Sequence, residues 1–170
     1  MKRTAVILCM DIGLAVLLVP LAMPHRAQVV YNPSDSVARG WYRIVPADSL
    51  QVGSIVLARL PAPAAVLAAQ RDYLPASIPL LKRIGAVAPQ RVCMDGASVR
   101  IDDVVVAAVM RADGHGRPLS AWSQCRHLAN GELFLLSSTN PASFDSRYFG
   151  PILASSVIGS AQPLWTWGVP

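Results

Sequence analysis

The sequence predicts a mainly β protein: an antiparallel sheet with one short helix, preceded by an N-terminal transmembrane helix. Three observations lead there. Short runs rich in β-branched residues recur at close spacing along most of the 170 residues. Pairs such as Asp95-Gly96 and Asp102-Asp103 stand between them as tight-turn signals. Ahead of all this lies an apolar stretch of the length a bilayer demands.

That stretch runs from Thr4 to Met23 and is apolar except for Thr4, Cys9, Asp11 and Gly13. Twenty residues at about 1.5 Å each span a hydrocarbon core of about 30 Å. Asp11 costs about 3 kcal/mol mid-membrane, which the many Leu, Ile and Val residues at about −0.3 to −0.6 each offset. Lys2 and Arg3 favour an inside N-terminus and put the remainder outside; His25 and Arg26 weaken that bias without reversing it. A cleaved signal peptide is the competing reading. Pro20 to Gln28 offers no clean small-x-small site, and Leu8 before Cys9 does not suit a lipoprotein signal. The expectation is an uncleaved anchor over residues 1–26 and an exported domain over residues 27–170.

Residues 27–32 read as the link into the domain, and Asn32-Pro33-Ser34-Asp35-Ser36 as a polar turn. Trp41 to Val45 and Ser54 to Ala58 read as strands. Pro61 to Tyr73 holds the short helix, with Pro63 in its first turn; Pro75 and Pro79 break it. Strands follow at Leu80 to Val87, Arg91 to Met94, Ser98 to Ile101 and Val104 to Met110. Ala112 to Pro118 is a glycine-rich loop, Gly131 to Ser137 a strand, and Asn140 to Gly150 a loop. Ile152 to Ile158 closes the sheet, and Leu164 to Trp167 forms a last strand.

Net charge is +5, but the cations are scattered and no basic run interleaves with aromatics, so nucleic acid is not the expected partner. Mild basicity suits a domain beside anionic lipid equally well. His25, His115 and His127 show no ligand spacing with each other or with the cysteines, so neither a metal nor another cofactor is expected. With Cys9 in the apolar segment, Cys93 and Cys125 remain as one pair, and export makes a disulfide between them the default. Closing a loop of about thirty residues contributes about 3–4 kcal/mol in the loop-entropy model.

Chemistry first shows in the lysine count. Only Lys2 and Lys82 occur, against thirteen arginines. Lys82 lies in the apolar run Leu80 to Val87, where desolvation can strip its proton near neutral pH; an arginine there would keep its charge. It is a candidate general base, although the same window fits a lysine snorkelling from a strand edge. A base needs a nucleophile. Ser34 and Ser36, on a turn before Gly40, can expose hydroxyls and leave backbone N–H groups free for an oxyanion, but Asn-Pro-Ser-Asp-Ser is also an ordinary surface turn. A Ser–His–Asp site is the other hydrolase option, and neither His115 nor His127 has an informative context.

A third segment decides between these. Ser143-Phe144-Asp145-Ser146-Arg147-Tyr148-Phe149-Gly150 resembles the Ser-x-Asp-Ser-Arg-x-x-Gly signature of the type I signal peptidase family. Leu81-Lys82-Arg83-Ile84 resembles that family's Lys-Arg motif. Asn32-x-Ser34-x-Ser36-x-Ala38-x-Gly40-x-Tyr42 is similar to the motif of its conjugative-transfer branch, the TraF-type peptidases. The three stand in family order. The resemblance implies a signal-peptidase-like β domain and a Ser–Lys dyad, with Ser36 as nucleophile and Lys82 as general base. Ser34 would join the Ser36 N–H in the oxyanion hole, and Ser143 would orient the amine. Asp145, required in that branch, would pair with Arg147 or Arg83. The resemblance further implies an exported protein substrate with small residues before the cut. In that branch it is the conjugative pilin, whose ends such enzymes can join into a ring. The enzyme would sit in the bacterial inner membrane with its catalytic domain in the periplasm. A general signal peptidase is the runner-up, and an inactive β scaffold of a secretion complex is the non-enzymatic alternative. Two departures stand out: Ala38 replaces a proline after the nucleophile, and Pro89-Gln90 replaces a Gly-Asp.

Overall fold

The computed structural model describes residues 2–22 and 29–168, with side chains in the first helix described at 5–16 and 18. Helix α1 spans Lys2–Ala22, and its described apolar side chains, among them Val6, Leu8 and Met10, are exposed. Among the described residues no helix is long and apolar enough to cross a membrane. The link at 27 and 28 lies outside the described residues.

Two antiparallel sheets make up the rest. β1 (Val29–Asn32), β2 (Arg39–Val45), β3 (Ile55–Ala58), β4 (Leu80–Val87), β9 (Glu132–Leu135), β10 (Ile152–Leu153) and β11 (Val157–Trp167) form one, in the order β1-β2-β11-β3-β4-β9-β10. β5 (Arg91–Asp95), β6 (Ser98–Ile101), β7 (Val104–Ala108) and β8 (Cys125–His127) form the other, in the order β7-β6-β5-β8. The mainly β antiparallel expectation is met. Asp102 and Asp103 both take left-handed φ, 48° and 67°, as a two-residue hairpin turn that follows the strand twist requires. Where the sheets meet, Ala86, Phe134 and Leu136 pack on Val92, Val99 and Ile101, burial that stabilises the fold by about 25 cal/mol per Å² of apolar surface.

Several elements differ from the sequence expectation. Val29–Asn32 is an edge strand rather than a link, because β2 supplies hydrogen-bond partners along its length, Val29 opposite Arg43 and Asn32 opposite Gly40. Cys125–His127 pairs with Arg91–Cys93 as β8, a partnership too short to read locally. The expected run Ile152 to Ile158 is broken by a 3-10 turn at Ala154–Ser156 into β10 and the start of β11. Leu164 to Trp167 is the end of β11, which pairs with β3 as far as Ser160 and with β2 from Ser160 onward. Pro163, which has no N–H to give, falls past the last β3 partner, next to a register shift. Helix α2 (Ala62–Gln70) lies within the expected Pro61 to Tyr73 and ends three residues short of it; Asp72, at φ 58°, takes the chain out of the helix. A one-turn helix, α3 (Ser146–Phe149), breaks what reads as a loop, so more than one short helix is present.

Candidate active site

The six residues between β1 and β2 form a turn organised by one side chain. Asn32 is buried, and its Nδ2 donates to the carbonyl oxygens of Ser34 (2.8 Å), Val37 (3.2 Å) and Ala38 (3.1 Å). Its Oδ1 accepts from the Ser34 N–H at 3.2 Å and from the Ser34 hydroxyl at 2.8 Å. Tyr42, fully buried on β2, donates to the Ala38 carbonyl at 2.6 Å. Ser36, 7 % exposed, lies 2.8 Å from Ser34, oxygen to oxygen. Gly40 closes the turn at φ 137°, where a Cβ would come within 2.2 Å of the Trp165 carbonyl oxygen, so a side chain there would force β2 and β11 apart.

Lys82 sits mid-strand in β4, opposite Val56 of β3, and is 3 % exposed. Its amine donates to Ser143 Oγ. Among the described residues no hydrogen bond joins Lys82 to Ser36, whose partner is Ser34. No carboxylate pairs with Lys82 among the described residues. Burial pushes its amine down from 10.5 to about 8; the Asp145 carboxylate draws it up and the Arg147 guanidinium pushes it down.

The Ser143–Gly150 segment fixes that amine. Ser143 and Asp145 point inward, while Phe144 between them points the other way into an aromatic cluster, its ring 5.3 Å from Tyr73 and 5.8 Å from Tyr148. Asp145 and Arg147 are both fully buried and pair in a fork, Nε to Oδ1 and Nη2 to Oδ2, each at 2.8 Å. Asp145 also accepts from the backbone N–H groups of Arg147 and Ser137. Arg147 donates onward to the carbonyls of Ala108, Pro141, Asn140 and Ser143, tying the second sheet to the loop that carries Ser143. A Cβ at Gly150, φ 78°, would meet the Trp122 ring at 2.8 Å, which accounts for the glycine at the end of the motif.

Of the two arginines considered for Asp145, the structure selects Arg147. Arg83 instead donates to the Gly53 carbonyl at 2.9 Å and braces a turn. Cys93 and Cys125 face each other across β5 and β8 with their sulfurs bonded. Neither described histidine bonds a serine: His115 Nδ1 meets Arg117, and His127 Nδ1 meets the Pro89 carbonyl. Among the described residues no cluster of His, Cys, Asp and Glu could hold a metal. The residue that sequence reasoning left without a role is Asn32; its spacing of two and four from the serines was the available signal.

Residues 1–167 match the family model described as "Signal peptidase, peptidase S26". A probable conjugal transfer protein TraF from Sinorhizobium fredii is 37% identical over 146 residues, 80% of this chain and 76% of that protein. A plasmid transfer protein TraF from Escherichia coli is 35% identical over 91 residues, 52% of this chain and 51% of that protein, so this match spans about half of its length. A signal peptidase I crystal structure from Enterococcus faecalis aligns at a TM-score of 0.40 and 20% identity, covering 66% of this chain and 97% of that one. The match over nearly the whole chain and the long conjugal-transfer relative agree, and the chain belongs to the signal peptidase family, peptidase S26, in its TraF branch.

Proposed function

We propose that the chain is a membrane-anchored serine endopeptidase that matures exported precursors in conjugative transfer, with the conjugative pilin as substrate. The observation that carries the chemistry is Lys82: a buried amine without a carboxylate partner among the described residues, held by Ser143 and neutral in part near neutral pH. Ser36 turns its hydroxyl from Ser34 toward that amine, Lys82 takes the proton, and the Ser36 oxygen attacks the scissile carbonyl. The Ser34 hydroxyl and the Ser36 N–H stabilise the tetrahedral oxyanion. The protonated Lys82 then gives its proton to the departing amine, leaving an acyl-enzyme. Water, activated by the same amine, releases the product; attack by the substrate's own amino terminus would close a ring instead. Asp145 and Arg147 hold the Ser143 loop that aims the amine.

The conjugative setting is supported by the names of the two relatives. The inner membrane and periplasm are supported by the apolar N-terminal run and by the exposed face of β1, β2 and β11, where Tyr31, Trp41, Trp165 and Trp167 suit a bilayer interface. Full-length protein incubated with a peptide spanning a small-residue site should cleave it, and Ser36→Ala and Lys82→Ala should each lose at least about 10⁴-fold in kcat. Turnover by Ser36→Ala equal to wild type would sink the enzyme and leave the scaffold. In cells, mass spectrometry should find mature pilin only when this protein is present. A cyclic product would be lighter than the linear one by one water. Pilin of unchanged mass, with other preproteins accumulating, would point to a general signal peptidase.

A further inference from the structure

The direction of the hydroxyl bonds in the β1–β2 turn can be worked out from proton counts. The Asn32 nitrogen lies among three carbonyl oxygens, so its amide can face only one way, and Oδ1 is then the group that meets Ser34. Oδ1 only accepts, so Ser34 spends its single hydroxyl proton on Asn32. The 2.8 Å contact between Ser34 and Ser36 must therefore be donated by Ser36. The chain of bonds runs Ser36 to Ser34 to Asn32, and Asn32 sets its direction.

We infer that Asn32 is a positioning residue of the peptidase reaction: it holds the Ser34 oxygen and the Ser36 turn so that Ser34 meets the nucleophile through a lone pair. This rests on the peptidase reading above. Before reaction the arrangement pins Ser36 Oγ at a fixed place and leaves its own lone pairs free. When Lys82 takes the Ser36 proton, the Ser36–Ser34 bond is lost. The Ser34 proton can then swing from Asn32 Oδ1 to the oxyanion, while the Nδ2 bonds keep the carbonyls of residues 34, 37 and 38 in place. Nothing in this sequence of events moves the Lys82 amine, whose partner is Ser143 on another segment.

The test is a double-mutant cycle on full-length enzyme with the cleavable peptide: wild type, Asn32→Ala, Ser34→Ala and the double variant. Asn32→Ala should lower kcat by about 100-fold, the scale of a misplaced reacting group, with KM within about threefold. The pH at which kcat/KM reaches half its plateau should stay where the wild type has it. The double variant should be barely slower than the worse of the two single variants, because both act on one hydroxyl. Losses that multiply, an unchanged kcat, or a fall confined to KM would each overturn the inference while leaving the peptidase standing. A wild-type enzyme that cleaves nothing would overturn both. Should Asn32→Ala not fold, Asn32→Ser, too short to reach Ser34, takes its place in the cycle with the same expectations.

Discussion

Two charged centres lie buried on either side of Ser143, and they are opposites. Asp145 and Arg147 are fully buried, but each carries the other's counter-charge and the hydrogen bonds around them are complete. Lys82 is almost as deeply buried, yet its amine has one hydroxyl and no carboxylate among the described residues. A buried charge that is matched becomes architecture, and breaking it is costly. A buried charge left unmatched gives up its proton instead, which is the condition for a base near neutral pH. The two are coupled: Arg147 holds the Ser143 carbonyl, and the Ser143 hydroxyl holds Lys82.

The sharpest way to break this contrast is to remove one cation from each centre. Arg147→Met leaves Asp145 buried and alone, and should cost about 3–5 kcal/mol, a large share of a domain's roughly 5–15 kcal/mol. Lys82→Met should do the reverse. A fall in pKa from 10.5 to about 8 corresponds to about 3 kcal/mol. Because the folded value is the lower one, the unfolded chain holds the extra proton between about pH 8 and 10.5, and wild-type stability rises with pH across that window. Below about pH 8 the burial penalty is present in full, so the methionine variant should be the more stable by up to about 3 kcal/mol at pH 7. That margin should vanish as pH approaches 10.5. Urea unfolding at both pH values measures it, and a Lys82→Met protein less stable than wild type at pH 7 would contradict the comparison.

The pH–rate profile sharpens the same point. In the proposed reaction only a neutral Lys82 amine can accept the Ser36 proton, so kcat/KM should climb about tenfold per pH unit and level off near pH 8. A profile flat from pH 6 to 9 would remove Lys82 as the base. The smallest effect is expected at Arg83, which the motif places beside Lys82 but which bonds the Gly53 carbonyl instead of Asp145. Arg83→Ala should cost about 1 kcal/mol of stability and leave kcat within a few-fold; a loss as large as that of Arg147→Met would show that it supports the acid after all.

How much could be read beforehand differs between residues for physical reasons. β4 was legible to the residue, because a long apolar run between turn signals has no other use. β1 and β8 were not: four and three residues carry too little pattern, and each becomes a strand only because another strand supplies its hydrogen bonds. α3 was hidden for a related reason, since one turn of helix depends on the Asp145 cap and on burial of Ser146 and Arg147 rather than on propensity. The motif serines, the lysine and the aspartate could be named from their resemblance to the family motifs, but the role of Asn32 could not, because it is defined by five bonds whose geometry no motif encodes.

The sequence by itself determined the class of fold and named the candidate residues of the site. It holds two lysines in all, one of them in an apolar strand, three motifs in family order and a succession of short strands. Tertiary structure alone decided two of the partners: Arg147 rather than Arg83 for Asp145, and Ser34 beside the Ser36 hydroxyl. Identity and order are carried along the chain. Hydrogen-bond direction and the match or mismatch of buried charge depend on distances across strands far apart in it, and those exist only once the sheets have closed.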